Sequence, residues 1–316
     1  MKTDPSSRSA SRPPRLCLGL PVYNGDRFLR PCLESLLAQT FGDFELIVCD
    51  NASTDSTVEI VEEYASRDPR VQLFRADTNR GAAANFNWAF ELAHHELFKW
   101  CAADDVHQPL YLERAVAALD AHPDAVLAWS GALDIDDDGE VIKEIYDNRL
   151  PLRFDHADVG VRFQDLVCAN HSCVAVFGVA RADALRRTSL IGPYVGSDRT
   201  LLAELGLLGR LLRVGDDLLL HREHVGRSVN EIADLRQRTV WFDSGAKGPA
   251  FPHWRLAREY LLAVRRSKLG ARQQVHCVAG VLRWVKWGAW RKLVGDVSHN
   301  WNLARGREPA RLRRGG

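Results

Sequence analysis

Between Leu16 and Cys101 the chain alternates short apolar runs with amphipathic stretches, and that rhythm restricts the fold more than any other feature. Leu16 to Leu20 reads as a buried strand, and Pro21-Val22-Tyr23-Asn24-Gly25 as the turn that ends it. Residues 27–39 put Phe28, Leu29, Cys32, Leu33, Leu36 and Leu37 on one helical stripe, with Pro31 tolerable in the first turn. Phe44 to Asp50 predicts a second strand. A cap-rich loop from Asn51 to Asp55 then opens a helix whose Val58, Val61 and Tyr64 share a face. Val71 to Arg75, Gly81 to His94 and Glu96 to Cys101 add a strand, a helix and a strand. This βαβα order calls for an α/β fold: a mostly parallel sheet with helices on both faces and the ligand site at the carboxyl ends of its strands.

Three polar clusters fall just past predicted strand ends: Tyr23 and Asn24, Asp50 and Asn51, Asp104 and Asp105. In a parallel sheet they converge. The last pair ends the run Leu97 to Trp100, and Pro109 starts the following helix, so a strand delivers two carboxylates to the sheet edge. Carboxylate oxygens suit magnesium or manganese, which often complete their shell with a substrate's phosphates. A plainer account makes Asp104 a helix cap and leaves Asp105 in solvent. Three polar strand ends in one sheet favour a nucleotide-plus-metal site. No Gly-x-Gly-x-x-Gly follows the first strand and no Gly-x-x-x-x-Gly-Lys-Ser/Thr occurs, which counts against dinucleotide oxidoreduction and ATP hydrolysis.

Taken in order, Pro21-Val22-Tyr23-Asn24, Cys49-Asp50-Asn51-Ala52-Ser53, Asn79-Arg80-Gly81 with Asn85, and the acidic strand end resemble the family-two inverting glycosyltransferases of the GT-A fold. The resemblance spans about residues 15–225. It implies that the first loop (Pro21, Tyr23, Asn24) and Asp50 hold the base and ribose of a nucleoside-diphosphate sugar, with Asn51 and Arg80 also binding that donor. It also implies that the acidic motif holds a divalent cation, magnesium or manganese, on the diphosphate. The family's Asp-x-Asp aligns with Ala103-Asp104-Asp105, so the first carboxylate is missing. The metal role then passes to Asp105, and Asp104 takes a lesser role at the ribose or behind the metal.

Ala125 to Ile135, the turn Asp136 to Gly139, and Val141 to Tyr146 predict a β-hairpin. Asp134-x-Asp136-x-Asp138-Gly139 imitates a calcium loop, but its twelfth position is Ile145 and its flanks are strand-like. Cys168 and Cys173 flank Ala-Asn-His-Ser. The neighbouring run Val174 to Val179 predicts a buried strand, which makes a nucleophilic thiol the weaker reading. Ile191 to Arg199 is a glycine-rich loop before a helical run from Thr200 to Leu212. Asp198 fits a helix N-cap. By the resemblance it is also the base that takes the acceptor's proton, with Ser197 where relatives often carry Glu. After the strand Asp217 to Leu220 come His221, His224 and Arg227, with His224 a candidate metal ligand or phosphate contact.

The net charge of +1 hides a division: residues 251–316 carry 15 Lys/Arg and 3 Asp/Glu, giving +12 there and −11 on residues 1–250. From Val275 to Val294, Val275, Val278, Leu282, Val285, Ala289 and Leu293 fall near one helical face among tryptophans and basic residues. Such a helix fits an anionic membrane surface, and its stripe would serve equally well packed on the protein's own core. Seven cysteines without a Cys-x-x-Cys read as buried thiols in a reducing compartment. Residues 1–14 read as a flexible tail without the apolar core of a signal peptide, and no run approaches a membrane span.

The expected organisation is a tail at 1–14, a nucleotide-sugar half at 15–110, an acceptor half at 111–245 and a basic helical extension at 246–316. The expected activity is inverting, metal-dependent transfer of one sugar to a hydroxyl acceptor, free or lipid-linked. The expected location is the cytoplasm or the inner membrane face, with no nucleic-acid partner. A Gln-x-x-Arg-Trp motif of processive synthases is absent. A sugar nucleotidyltransferase and a non-catalytic nucleotide-binding membrane protein stay open as alternatives.

Overall fold

Near-continuous burial of β1 (Leu16–Val22) and β2 (Phe44–Asp50) makes them the centre of the molecule. In a computed structural model describing residues 12–145, 150–224, 235–242, 244 and 250–305, they pair parallel with each other. β3 (Val71–Arg75) and β4 (Leu97–Trp100) flank them, also parallel. The crossovers are α1 (Asp26–Leu37), α2 (Thr57–Arg67) and α3 (Ala82–Glu91). The stripe expected on α1 is buried at Phe28, Leu29, Cys32, Leu33 and Leu36.

The second half adds β5 (Val106–His107), α4 (Tyr111–Ala121), β6 (Ala125–Ile135), β7 (Val141–Glu144), α5 (Val159–Cys168) and β8 (Val179–Arg181). It continues with α6 (Ala182–Leu185), α7 (Ser197–Leu208), β9 (Arg210–Arg222), α8 (Leu235–Phe242), α9 (Pro252–Arg266), α10 (Ala271–Trp284) and α11 (Trp290–Ala304). The single sheet runs β3-β2-β1-β4-β8-β6-β9-β5, with β7 paired to β6. Most of its ladder is parallel. β8 is antiparallel to both β4 and β6, and so joins the two halves.

Four expectations change. Pro21 belongs to β1 rather than to the turn. β4 pairs only as far as Gly19, so beyond that point the proline's missing N–H is not needed on that side. Val174–Phe177 is a 3₁₀ turn, and only Val179 to Arg181 forms strand. The helix expected to reach Leu212 stops at Leu208. Gly209 is extended there, and a Cβ on it would come within 2.5 Å of Val126 and 2.7 Å of the Asp124 carbonyl. The predicted 275–294 helix starts earlier, at Ala271, and Val285–Ala289 is a π turn between α10 and α11. The N-terminal tail through Ser11, Tyr146 and Arg227 lie outside the described residues.

α3 packs against β1 where the strand has only a hydrogen for a side chain. A Cβ at Gly19 would sit 2.6 Å from the Phe98 ring and 3.0 Å from the Ala89 methyl. Gly19→Ala therefore overpacks this layer and should cost ~1–3 kcal/mol. Urea denaturation should show a lower midpoint with an unchanged slope, and Phe98→Leu in the same chain should recover part of the loss.

Candidate active site

Each polar strand end is held by its neighbours. After β1, Asn24 adopts a left-handed backbone (φ 51°). Its amide donates to Ser53 Oγ at 2.9 Å, and its side-chain oxygen accepts the Thr54 amide at 2.9 Å. After β2, the buried Asp50 carboxylate accepts the Ser53 amide at 3.2 Å. Asn51 donates from its amide to the Val22 carbonyl at 2.9 Å and from Nδ2 to Asn79 Oδ1 at 2.9 Å, while its Oδ1 accepts the Arg80 amide at 3.0 Å. Asn85 donates to the Cys49 carbonyl at 2.9 Å, and its buried Oδ1 has no partner among the described residues. The Arg80 guanidinium lies 4.4 Å from the centre of the Trp88 ring. The structure thus brings Tyr23, Asn24, Asp50, Asn51 and Arg80 to one sheet edge, with Tyr23 exposed above it.

At the third strand end the two carboxylates face different ways. Asp105 is only 2% exposed, and its Oδ1 accepts the amide of Arg222 at 3.0 Å. Its charge also acts on the buried ammonium of Lys99, which donates to the Phe177 carbonyl and lies 4.3 Å from the Tyr111 ring centre. Burial lowers the Lys99 pKa, and the nearby Cys101 and Asp105 oppose that shift. Asp104 instead keeps a 32% exposed carboxylate, with Oδ2 3.1 Å from His224 Nε2. Burial pushes its pKa up, but the His224 hydrogen bond and the charges of His224 and His221 outweigh burial and hold it below the ordinary value. The burial of the two acids is thus the reverse of what a metal-facing Asp105 and a supporting Asp104 require. Neither is a cap: Leu110 occupies the N-cap of α4 and makes no side-chain bond there.

Sequence reasoning missed Arg222. It is buried, its Nε donates to the Asp104 carbonyl at 3.0 Å, and its Nη1 donates to the carbonyls of Asp136 at 2.5 Å and Asp137 at 3.0 Å. It stacks 4.7 Å from the Phe28 ring centre, and that ring also meets His224 at 4.8 Å. On the opposite side of β9, His221 Nδ1 lies 2.9 Å from Asp134 Oδ1, with Glu223 close by. Lys143 already places its ammonium 3.4 Å from Asp134, so that trio has a built-in cation.

Asp198 lies in the first turn of α7 and is not its cap. Gly196, left-handed at φ 86°, holds that position, and Asp198 Oδ1 accepts the Arg199 amide at 2.8 Å. The preceding loop is clamped to α3: Asn87 Nδ2 donates to the Ile191 carbonyl at 2.9 Å, and Asn87 Oδ1 accepts the Ile191 amide at 3.0 Å. Among the described residues no hydrogen bond joins Asp198 to the acidic edge. Cys168 is the one exposed thiol of the seven; partial burial raises its pKa, and the opposing charges of Arg283 and Arg199 do not reverse that shift, so it is not the low-pKa thiolate of a nucleophile.

The glycosyl transferase family 2 model matches residues 17–176, which is half of the chain. This chain belongs to that family. The matched segment contains all three strand ends. EpsE of Bacillus subtilis (strain 168), named as a presumed glycosyltransferase, is 34% identical over 127 residues, covering 40% of this chain and 46% of EpsE. Chondroitin synthase of Escherichia coli is 29% identical over 140 residues, 44% of this chain and 20% of that protein. The match thus spans at most about half the length of these relatives. Among solved structures, TarS of S. aureus in complex with UDP-GlcNAc superposes with a TM-score of 0.64 at 17% identity, over 92% of this chain and 80% of that one. The mannosyltransferase PcManGT of Pyrobaculum calidifontis, in complex with GDP-Man and Mn²⁺, gives 0.52 at 19% identity over 92% and 88%. At these identities the likeness establishes the GT-A-like fold.

The division of labour between the two acids is measurable. Asp105→Ala leaves a buried Arg222 amide without its acceptor and should cost ~1–3 kcal/mol. Asp104→Ala removes a part-exposed partner and should cost under about 1 kcal/mol. Urea midpoints of the two variants against the native chain test this, and equal losses would show that Asp105 is no more structural than Asp104.

Proposed function

We propose that the protein transfers a single sugar, with inversion, from a nucleoside-diphosphate sugar to a hydroxyl acceptor. The observation that carries this reading is the part-exposed Asp104 carboxylate, paired with His224, on the same family-two sheet edge as Asp50, Asn51 and Arg80. The nucleotide sugars and Mn²⁺ named for TarS and PcManGT support that donor class and cofactor. Residues 15–110 would hold the donor, and residues 111–245 the acceptor.

A carboxylate and an imidazole nitrogen 3.1 Å apart are near enough to ligate one ion, and the donor set suits manganese or magnesium. We therefore assign the metal to Asp104 with His224, and give Asp105 the task of holding the Arg222 segment beneath them. Bound there, a divalent cation supplies the positive charge that a departing diphosphate needs. Asp50 and Asn51 shape the base and ribose pocket, Tyr23 offers an exposed ring for the base, and Arg80 a cation for phosphate. Asp198, offered by the first turn of α7, takes the proton from the acceptor hydroxyl as its oxygen attacks the anomeric carbon. Inversion follows from that single displacement.

Two substitutions read out the roles separately. Asp198→Asn should lower kcat by ~10²–10⁴-fold with donor affinity retained. Unchanged kcat would remove Asp198 as the base. Asp104→Asn should weaken manganese dependence and turnover together, and EDTA should silence the native enzyme. Release of UDP or GDP from the corresponding sugar nucleotides, with and without manganese, provides the assay. A pyrophosphate product instead would favour the nucleotidyltransferase reading.

A further inference from the structure

α10, the π turn and α11 carry an apolar stripe on their outer face that the described residues do not cover. On α10 it consists of Val275, Ala279 and Leu282, all exposed, with Val275 at 70%. Beyond the π turn it consists of Trp287, Trp290, Val294, Val297 and Trp301, again exposed, with Trp287 at 74%. Within each set the spacing alternates between three and four residues, the step that stays on one face of an α-helix. Between Leu282 and Trp287 the step is five. In a continuous α-helix that would swing Trp287 about 140° away, since each residue turns about 100°. The π turn at Val285–Ala289 takes up one extra residue and brings the second set back into line with the first. The result is one straight stripe about 39 Å long, from 26 steps of ~1.5 Å.

The face expected from α-helical phase alone was different. Of its members, Val275 and Leu282 lie on the bare stripe and Val278 and Val285 are half-buried, while Ala289 and Leu293 are buried because that phase ignores the π turn. Together with Cys277, Gly280 and Val281 the last four pack inward, with α10 against α5 and α11 against α9. One helical segment therefore has both a packed face and a bare one.

Charge identifies the occupant of the bare face. Residues 271–305 contain six cations, Arg272, Arg283, Lys286, Arg291, Lys292 and Arg305, all exposed. Their single acid, Asp296, is buried and bonded to His253 at 2.8 Å. Three of the cations lie over the exposed tryptophans: Lys286 over Trp287 at 4.7 Å, Arg291 over Trp290 at 5.2 Å and Arg305 over Trp301 at 4.5 Å. A second copy on this face would set six cations against six with no exposed carboxylate from the described residues of α10 or α11 between them. A surface of lipid headgroups bearing negative charge satisfies both the cations and the aromatic rings.

We infer that α10 and α11 form an interfacial helix that docks the protein on an anionic lipid bilayer, with the stripe from Val275 to Trp301 facing the acyl chains. No described helix is long and apolar enough to cross a membrane. α11 is fastened to α9 by Trp254 Nε1 donating to the Leu293 carbonyl at 3.0 Å, and α9 packs on α7, which carries Asp198. Docking thus sets the Asp198 loop at a fixed place relative to the lipid. That an acceptor displayed on lipid would meet it there rests on the function proposed above, and the test below reads binding alone.

The full chain is sedimented with phosphatidylcholine vesicles and with vesicles in which about a third of the lipid is phosphatidylglycerol, at about 0.05 M and about 0.5 M salt. We expect pelleting with the anionic vesicles, at least tenfold weaker at high salt or on neutral lipid, together with a blue shift of tryptophan emission. The triple variant Trp287→Ser, Trp290→Ser, Trp301→Ser and the separate variant Lys286→Glu, Arg291→Glu, Lys292→Glu should each lose at least tenfold in binding with unchanged circular dichroism. Negligible pelleting of the native chain, equal pelleting on both lipids, or undiminished binding by both folded variants would overturn the proposal. A lipid-free dimer that the tryptophan variant dissociates would also overturn it, by assigning the face to a second copy.

Discussion

The acidic edge of this protein hangs on one buried guanidinium. Arg222 ends β9, yet its bonds run to the loop after β4, through the Asp104 carbonyl, and to the β6–β7 turn, through Asp136 and Asp137. Its own amide is fixed by Asp105. A buried cation needs partners for its donors, and here Nε and Nη1 give three bonds to main-chain carbonyls, with an aromatic ring beneath. The arrangement fixes the height at which Asp104 and His224 meet, since both lie within two residues of these bonds. It also closes the gap between the halves of the sheet at the edge where the polar strand ends gather.

The first hundred residues were legible because burial and period agree there. β2 and β3 fall on the residues expected, and the helices between the strands differ by a few residues at their ends. The donor edge was legible for the same reason: a polar residue directly after a buried strand has only one place to be. The order of Asp104 and Asp105 was not. Once β4 stops at Trp100 the backbone turns, the Asp105 amide reaching back toward the Ala102 carbonyl at 3.4 Å, and no period says which of two adjacent side chains points outward. The resemblance supplied a motif, but the alignment of a short acidic motif can slip by one residue.

Elsewhere the failures share a cause. Leucine-rich Thr200 to Leu212 satisfies helix and buried strand equally, and the boundary is set by Gly209 meeting Val126, a contact between residues far apart in sequence. Val174 to Val179 is apolar throughout, but a left-handed Cys173 (φ 67°) leads it into a 3₁₀ turn before it can pair. Arg222 gave no signal at all, since an arginine between histidine and glutamate near a strand end reads as solvated. The π turn is likewise silent to any analysis that assumes a constant helical step.

Six of the seven cysteines are buried, and Cys168 alone is exposed. Burial raises the pKa of Cys17, Cys32, Cys49, Cys101 and Cys277, so these thiols are both hidden and protonated. Cys168 Sγ lies 3.5 Å from the Gly280 carbonyl, at the seam where α5 meets α10. The molecule therefore carries a native attachment point for a spectroscopic probe, set where the basic helices join the body, and a spin or fluorescent label there would report their separation without engineering the rest of the chain.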